Sequence, residues 1–340
     1  MSRKSPKSTT DPDAVAGALQ KSASPRESEI ALSRPELIAA ARAFAASARA
    51  PRTIRAYRTD WLQFCAFCDR HAALALPASA ETLALYATEL AAKGRKPSTI
   101  TRAIAAISQA HKAAKHPSPA TSTDVARVLS GIKRKLGTKR NKKAPILVAD
   151  LRALVKTQPN DTLLGLRNRA LFVIGFAGAF RRSELVALDV DDVVFSREGL
   201  QVTIKRSKTD QDGAGQTIGL PYGSNPLSCP VRTLRAWLER ACIDEGAIFR
   251  ACTRKGKLRG RLRDIEVART LKRAAIAAGL DAPQIAGHSL RRGFITAAAR
   301  AGKNERDIMR QSRHRAPASL REYIEEAGLF DDNPASGIGL

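Results

Sequence analysis

No stretch of the 340-residue chain runs apolar for the ~20 residues that a membrane helix needs, so no membrane attachment is expected. The opening residues, MSRKSPKSTTDPD, hold no apolar core of a secretory signal, and the protein is expected to work in the cytoplasm. Aromatics make up only 5%, and much of the 44% apolar content is alanine, which favours helices. Cysteine is scarce and odd in number: five scattered residues give no disulfide framework and suit a reducing compartment. Cys65 and Cys68 form a C-x-x-C with His71 three residues on, but a zinc site wants a fourth ligand, and none lies near. The surrounding AYRTDWLQFCAFCDRHA has helical periodicity, so small buried cysteines and no metal are expected. Acidic residues are the other scarcity. Against 58 Lys+Arg stand 32 Asp+Glu, a net charge of +26. A field of that sign and a pI near 10.6 point to a polyanion, with double-stranded DNA the natural partner.

The length favours two domains. Residues 1–30, rich in Ser, Pro, Lys and Asp, read as a flexible tail. Residues 31–136 read as all-helical, with starts near Pro35, Thr53, Ser79, Ser98 and Thr123. Ile54, Tyr57, Trp61, Phe64 and Cys68 recur at helical spacing. Ser79 is a natural N-cap and Gly94 a natural stop for the helix between them. His71, His111 and His116 read as surface or core histidines. Residues 131–143, GIKRKLGTKRNKK, hold seven Lys or Arg in thirteen and no acid. They are expected to form a basic strap along a DNA backbone, with Lys133, Arg134, Lys135, Lys139, Arg140, Lys142 and Lys143 meeting phosphates. Residues 137–144 would be the linker itself.

A second domain is expected over 145–330, followed by a tail at 331–340. LVADLRALVKTQ and DTLLGLRNRALFVIGFAGAF read as helices, the second buried at the centre. QVTIKRSKTDQDGAGQTIGLP alternates around a Gly/Asp turn, as a β-hairpin does. Pro230 sits in the first turn of a helix whose Leu234, Trp237 and Leu238 face inward, and Arg263–Ala278 is a further helix. The last stretch, His288 to Tyr323, gathers two of the five histidines, the Arg291-Arg292 pair and a tyrosine nine residues after His314.

Four segments of this half resemble, in order, the motifs of the tyrosine recombinase (phage integrase) family. GAFRRSELVAL is similar to the first-arginine motif, RSKTDQDGAGQTIGLP to the hairpin that carries a lysine, HSLRR to the H-x-L-R box and SRHRAPASLREY to the tyrosine box. One box is weak evidence, and four in order are strong. The resemblance implies Arg181, Lys208, His288, Arg291, His314 and Tyr323 as catalytic residues, with Glu184 in support. It implies a mainly α fold of two domains: a helical, SAM-like core-binding domain and a mixed α+β catalytic domain with a small antiparallel sheet. The family's glycine before the last histidine is replaced here by Arg313, which makes a left-handed turn there costlier.

The implied activity is site-specific DNA integration and recombination. Tyr323 attacks a DNA phosphorus to give a 3′-phosphotyrosyl bond and a free 5′-hydroxyl. A phenol of pKa ~10 needs a base, for which His288 is the candidate, and the leaving oxygen needs an acid, for which Lys208 is. Arg181 and Arg291 offer planar forks to the non-bridging oxygens, His314 one more hydrogen bond, and Glu184 orients a cation. No cofactor or metal is expected, because side chains supply the cations. The resemblance further implies four protomers on two DNA sites, monomers when free, and a C-terminal segment, about 327–340, that docks on a neighbour. The alternatives are a type IB-like topoisomerase and a catalytically inactive DNA-binding protein.

Overall fold

The computed structural model describes residues 50–139, 143–205, 215–253, 255–318, 320, 321 and 323. The chain divides between 140 and 141 into two units.

The first unit is helical: α1 (Pro51–Arg70), α2 (Ala80–Ala92), α3 (Pro97–Ala113) and α4 (Thr123–Leu136). Proline in the first turn starts α1 and α3, where its missing N–H costs nothing. Ser79 accepts the Thr82 N–H at the start of α2, and Gly94, at φ +69°, follows its end. Burial along α1 rises from its first turn to its last: Ile54 is 46% exposed, whereas Phe64 and Cys68 are fully buried against Leu83, Tyr86, Ile100 and Ile107. The expected apolar stripe therefore begins a turn late. Cys65 is half-buried, and the described residues hold no group of three metal-ligating side chains. His111 is a core histidine whose Nε2 accepts the Ala78 N–H at 2.9 Å. Asp60, also buried, receives Arg102 through two bonds of 2.8 and 3.0 Å.

The basic strap differs from expectation in its first half. Residues 131–136 are the last turns of α4, and Gly137, at φ +70°, ends the helix. The concentration of Lys133, Arg134 and Lys135 suits the negative end of a helix dipole. Lys139 follows the helix, exposed, while Arg140 and Lys142 lie outside the described residues.

The second unit surrounds α6 (Leu163–Ala177), which is apolar on nearly every face and packs against α5 (Val148–Lys156), α8 (Pro230–Arg240) and α10 (Ser289–Arg300). A short helix, α7 (Arg182–Ala187), leads into an antiparallel meander of β1 (Val193–Phe195), β2 (Gly199–Ile204) and β3 (Gln216–Pro221). Val202 pairs with both Val193 and Ile218 in register. The inward residues of β2 and β3 alternate with exposed ones and join the core of α6 and α8. Trp237 is fully buried and donates its Nε1–H to the Ile248 carbonyl at 2.9 Å. A second ribbon, β4 (Arg250–Cys252) and β5 (Leu258–Arg261), precedes α9 (Asp264–Ala277). Helix α10 passes so near the start of the unit that a Cβ at Gly293 would lie 1.7 Å from the Ile146 carbonyl oxygen. Helix α11 (Glu305–Ser312) follows and packs against α10. No helix among the described residues is long and apolar enough to cross a membrane.

Candidate functional site

The site is built where α6 ends. Ala179 takes a left-handed conformation (φ 47°), Phe180 folds back into the core, and Arg181 becomes the N-cap of α7. Three residues on, Glu184 reaches back: its Oε2 accepts the Arg181 backbone N–H at 3.0 Å and its Oε1 the Arg181 Nη1 at 2.5 Å. The carboxylate thus caps the helix and fixes the guanidinium. Burial alone raises the Glu184 pKa, but Arg313, the Arg181 N–H and the Arg181 guanidinium together outweigh it and hold the group ionised.

His288 and Arg291 come from the start of α10, His288 as its N-cap. Arg291 is 1% exposed, and its Nη1 donates to the Ala179 carbonyl at 2.7 Å. Its Nη2 lies 3.4 Å from Nε2 and 3.5 Å from Nδ1 of His314. Burial, then the neighbouring Arg181 and Arg313, lower its pKa to about 9, which still leaves it charged at neutral pH. His288 is open to solvent on one side. Partial desolvation, followed by Arg291, Arg181 and Arg182, pushes its pKa down to about 4. An imidazole so placed is neutral at pH 7 and free to accept a proton.

His314 follows the C-cap of α11. The cap itself, Arg313, takes the left-handed conformation (φ 59°, ψ 43°), as the substitution of glycine suggested. Ser312 Oγ, from a fully buried residue, stands 2.7 Å from His314 Nδ1. Burial and then Arg291 and Arg181 push His314 to about 3. Tyr323 lies beyond, half-buried against Ile295, Ile308 and Leu320. Its ring centroid is 6.1 Å from that of His314. The guanidinium of Arg292 lies over the phenol at 5.4 Å from the centroid, and it also donates to the Lys143 carbonyl. The second arginine of that pair therefore serves the tyrosine's surroundings. The stem of Arg182, second in the other pair, packs against Gly287 so closely that a Cβ there would lie 1.9 Å from its Cδ.

Arg181, Glu184, His288, Arg291, His314 and Tyr323, from three of the four motif segments, are thus brought into one neighbourhood. Lys208 lies outside the described residues. Of the strands flanking it, β3 is tied to α11, the helix that leads into His314: Gln216 Nε2 donates to the Arg310 carbonyl at 3.1 Å, and Gln311 Nε2 to the carbonyls of Ala177 and Gly219 at 3.0 and 3.2 Å. Lys143, expected on a phosphate, donates its ammonium to the Pro283 carbonyl at 2.9 Å. Sequence reasoning missed Ser312, Gln311 and the carbonyl of Ala179. It noticed Arg313 only as a departure, although a long cation in a turn made for glycine was the available signal.

Two fixed guanidinium groups, two neutral imidazoles and a phenol can hold a phosphodiester, stabilise charge on its oxygens and move a proton off a nucleophile. Residues 146–328 match the family model of the phage integrase family, and residues 41–117 that of the phage integrase N-terminal SAM-like domain. An integrase/recombinase xerD homolog of Selenomonas ruminantium is 42% identical over 290 residues, covering 84% of each chain. The tyrosine recombinase XerD of Caulobacter vibrioides is 26% identical over 288 residues, covering 83% of this chain and 88% of that one. In fold, the chain resembles the Tn1549 transposon integrase solved with transposon right end DNA. There the TM-score is 0.61 at 15% identity, over 83% of this chain and 92% of that one. A lambda integrase dimer bound to a COC′ core site gives 0.59 at 15% identity, over 86% and 77%. By its motifs, its fold and these relatives, the chain belongs to the phage integrase family, the tyrosine recombinases.

Proposed function

We propose that this protein is a site-specific recombinase that cleaves and rejoins double-stranded DNA through Tyr323. The phenol oxygen attacks the scissile phosphorus. The 3′-oxygen stays on phosphorus, a phosphotyrosyl ester bond forms to the Tyr323 oxygen, and the bond to the 5′-oxygen breaks, so that oxygen leaves as a hydroxyl. His288 takes the phenol proton, and Lys208 gives one to the leaving oxygen. Arg181, Arg291 and His314 bind the non-bridging oxygens as their charge grows, and Glu184 holds Arg181 in place. The observation that carries this reading is the meeting of Arg291, His314 and Tyr323 at one point, with Arg181 tied there through Glu184. A 5′-hydroxyl from another strand then reverses the step, which conserves the bond's free energy and exchanges partners.

The front unit, 31–136, would act as the core-binding domain, joined by the basic linker 137–144 to the catalytic domain at 145–330. Exposed Lys133, Arg134, Lys135 and Lys139 would meet phosphates. Four protomers on two DNA sites complete the reaction, each a monomer before binding, in the nucleoid of the cell. The test is a nicked suicide substrate, from which the 5′-hydroxyl diffuses away. Wild type should accumulate a covalent adduct, and Tyr323→Phe should bind the same DNA without one. An adduct formed by the phenylalanine variant would move the nucleophile elsewhere.

A further inference from the structure

We infer that Arg313 is a positioning residue: its buried guanidinium holds the turn that carries His314 against the turn that carries Arg181. The inference rests on the recombinase reading of the site. Arg313 stands where the backbone is left-handed, a conformation that an L side chain adopts only against a steric penalty. Its side chain is 3% exposed, so it does not sit there for solvent. Instead it turns inward and makes four hydrogen bonds. Nη1 donates to the carbonyls of Gly178 and Gln311 at 2.9 and 2.8 Å. Nη2 donates to the Ala179 carbonyl and to Glu184 Oε2, both at 3.0 Å. The guanidinium also lies over the Phe180 ring, 4.9 Å from its centroid.

Three of those partners bear on the catalytic arrangement. The Ala179 carbonyl is the one that receives Arg291. The Glu184 carboxylate is the one that receives Arg181. Gln311 ties α11 to β3. Arg313 therefore joins both phosphate-binding forks and the turn before His314 through two shared acceptors. It works at second hand, from within the protein. Removing it leaves Glu184 with Arg181 alone and frees the turn before His314, so the donors should lose their mutual register while the outer DNA-binding surface stays as it was.

The experiment uses the full-length protein, Arg313→Gly and Arg313→Lys. Glycine relieves the left-handed backbone and deletes the fork, and lysine keeps a charge but cannot make four bonds from one plane. Both variants should bind DNA within about 3-fold of wild type and cleave a suicide substrate about 100-fold more slowly at saturating DNA, the loss expected when reacting groups are misplaced by about an ångström. Millimolar ethylguanidinium should restore part of the Arg313→Gly rate and none of the Arg313→Lys rate. The ring resonances of His314, titrated by NMR, should shift in both variants. Cleavage at the wild-type rate by either folded variant overturns the inference and leaves the Tyr323 reading standing. If Arg313→Gly unfolds, Arg313→Lys decides. If wild type itself forms no adduct, the reading of Tyr323 fails, and an unmoved His314 resonance would then overturn the role of Arg313 as well.

Discussion

The imidazole of His314 should refuse a proton over most of the acid range, and that refusal should destabilise the protein in acid. Burial, then Arg291 and Arg181, lower its pKa to about 3, against an ordinary value of about 6.5 in the unfolded chain. Because the folded value is the depressed one, the unfolded chain binds a proton first as the pH falls. Stability is complete above pH 6.5 and is lost between there and about pH 3. At pH 5 the unfolded imidazole is almost wholly charged and the folded one almost wholly neutral. The linkage relation then gives a loss of about 2 kcal/mol relative to pH 8. Allowing for solvent at the partly exposed ring leaves about 1–2 kcal/mol. Urea unfolding of wild type and His314→Gln at pH 8 and pH 5 measures it: the variant should lose about 1–2 kcal/mol less stability between those pH values. NMR titration of the DNA-free protein gives the midpoints directly, with His288 expected near 4. A His314 midpoint above about 6, with equal acid sensitivity in both proteins, would refute the assignment of a neutral, cation-surrounded imidazole.

Two further outcomes test other parts of the site. Lys208→Ala should slow cleavage strongly with an ordinary 5′-oxygen and hardly at all with a 5′-thio leaving group, which departs without a proton; equal slowing on both substrates would remove its role as acid. Replacing Lys133, Arg134 and Lys135 together by alanine should reduce the slope of log affinity against log salt by roughly 0.9 for every phosphate these side chains neutralise, without changing which DNA sequence is cleaved. A slope equal to that of wild type would take these residues off the DNA.

Local punctuation made much of the helical framework legible. Ser79 and Gly94 bound α2, and Pro230 opens α8, because caps act through the backbone of their own turn. The β2–β3 hairpin showed through alternation and a polar turn. By contrast, β1 and β4–β5 are three or four residues long, too short for alternation to register, and β5 reads Leu-Arg-Gly-Arg. Ile54 has the right spacing for the core but lies in a first turn, where it is 46% exposed, which no helical period reveals. Within the site, the order of the motifs located Arg181, Glu184, His288, Arg291, His314 and Tyr323. It said nothing of the Ala179 carbonyl, since backbone acceptors leave no mark on composition. Nor did it show that Arg313 folds inward, because its partners, Gly178, Ala179 and Glu184, lie more than a hundred residues earlier in the chain.

The electrostatics of the site divide its work between two kinds of residue. Arginine holds its charge even when burial lowers Arg291 to about 9, so the positive field does not vary with the proton traffic of a reaction. That same field, with desolvation, keeps His288 and His314 neutral, and a neutral imidazole is the form that can take a phenol's proton or donate one N–H without adding repulsion. Crowding Arg181, Arg291 and Arg313 together is unfavourable on its own, and one buried carboxylate, Glu184, offsets it by bonding two of the three. A second anion is still wanted. In the proposed reaction the phosphodiester would supply that negative charge, so the cluster that repels protons in the free protein is the one that should hold DNA most strongly once it arrives.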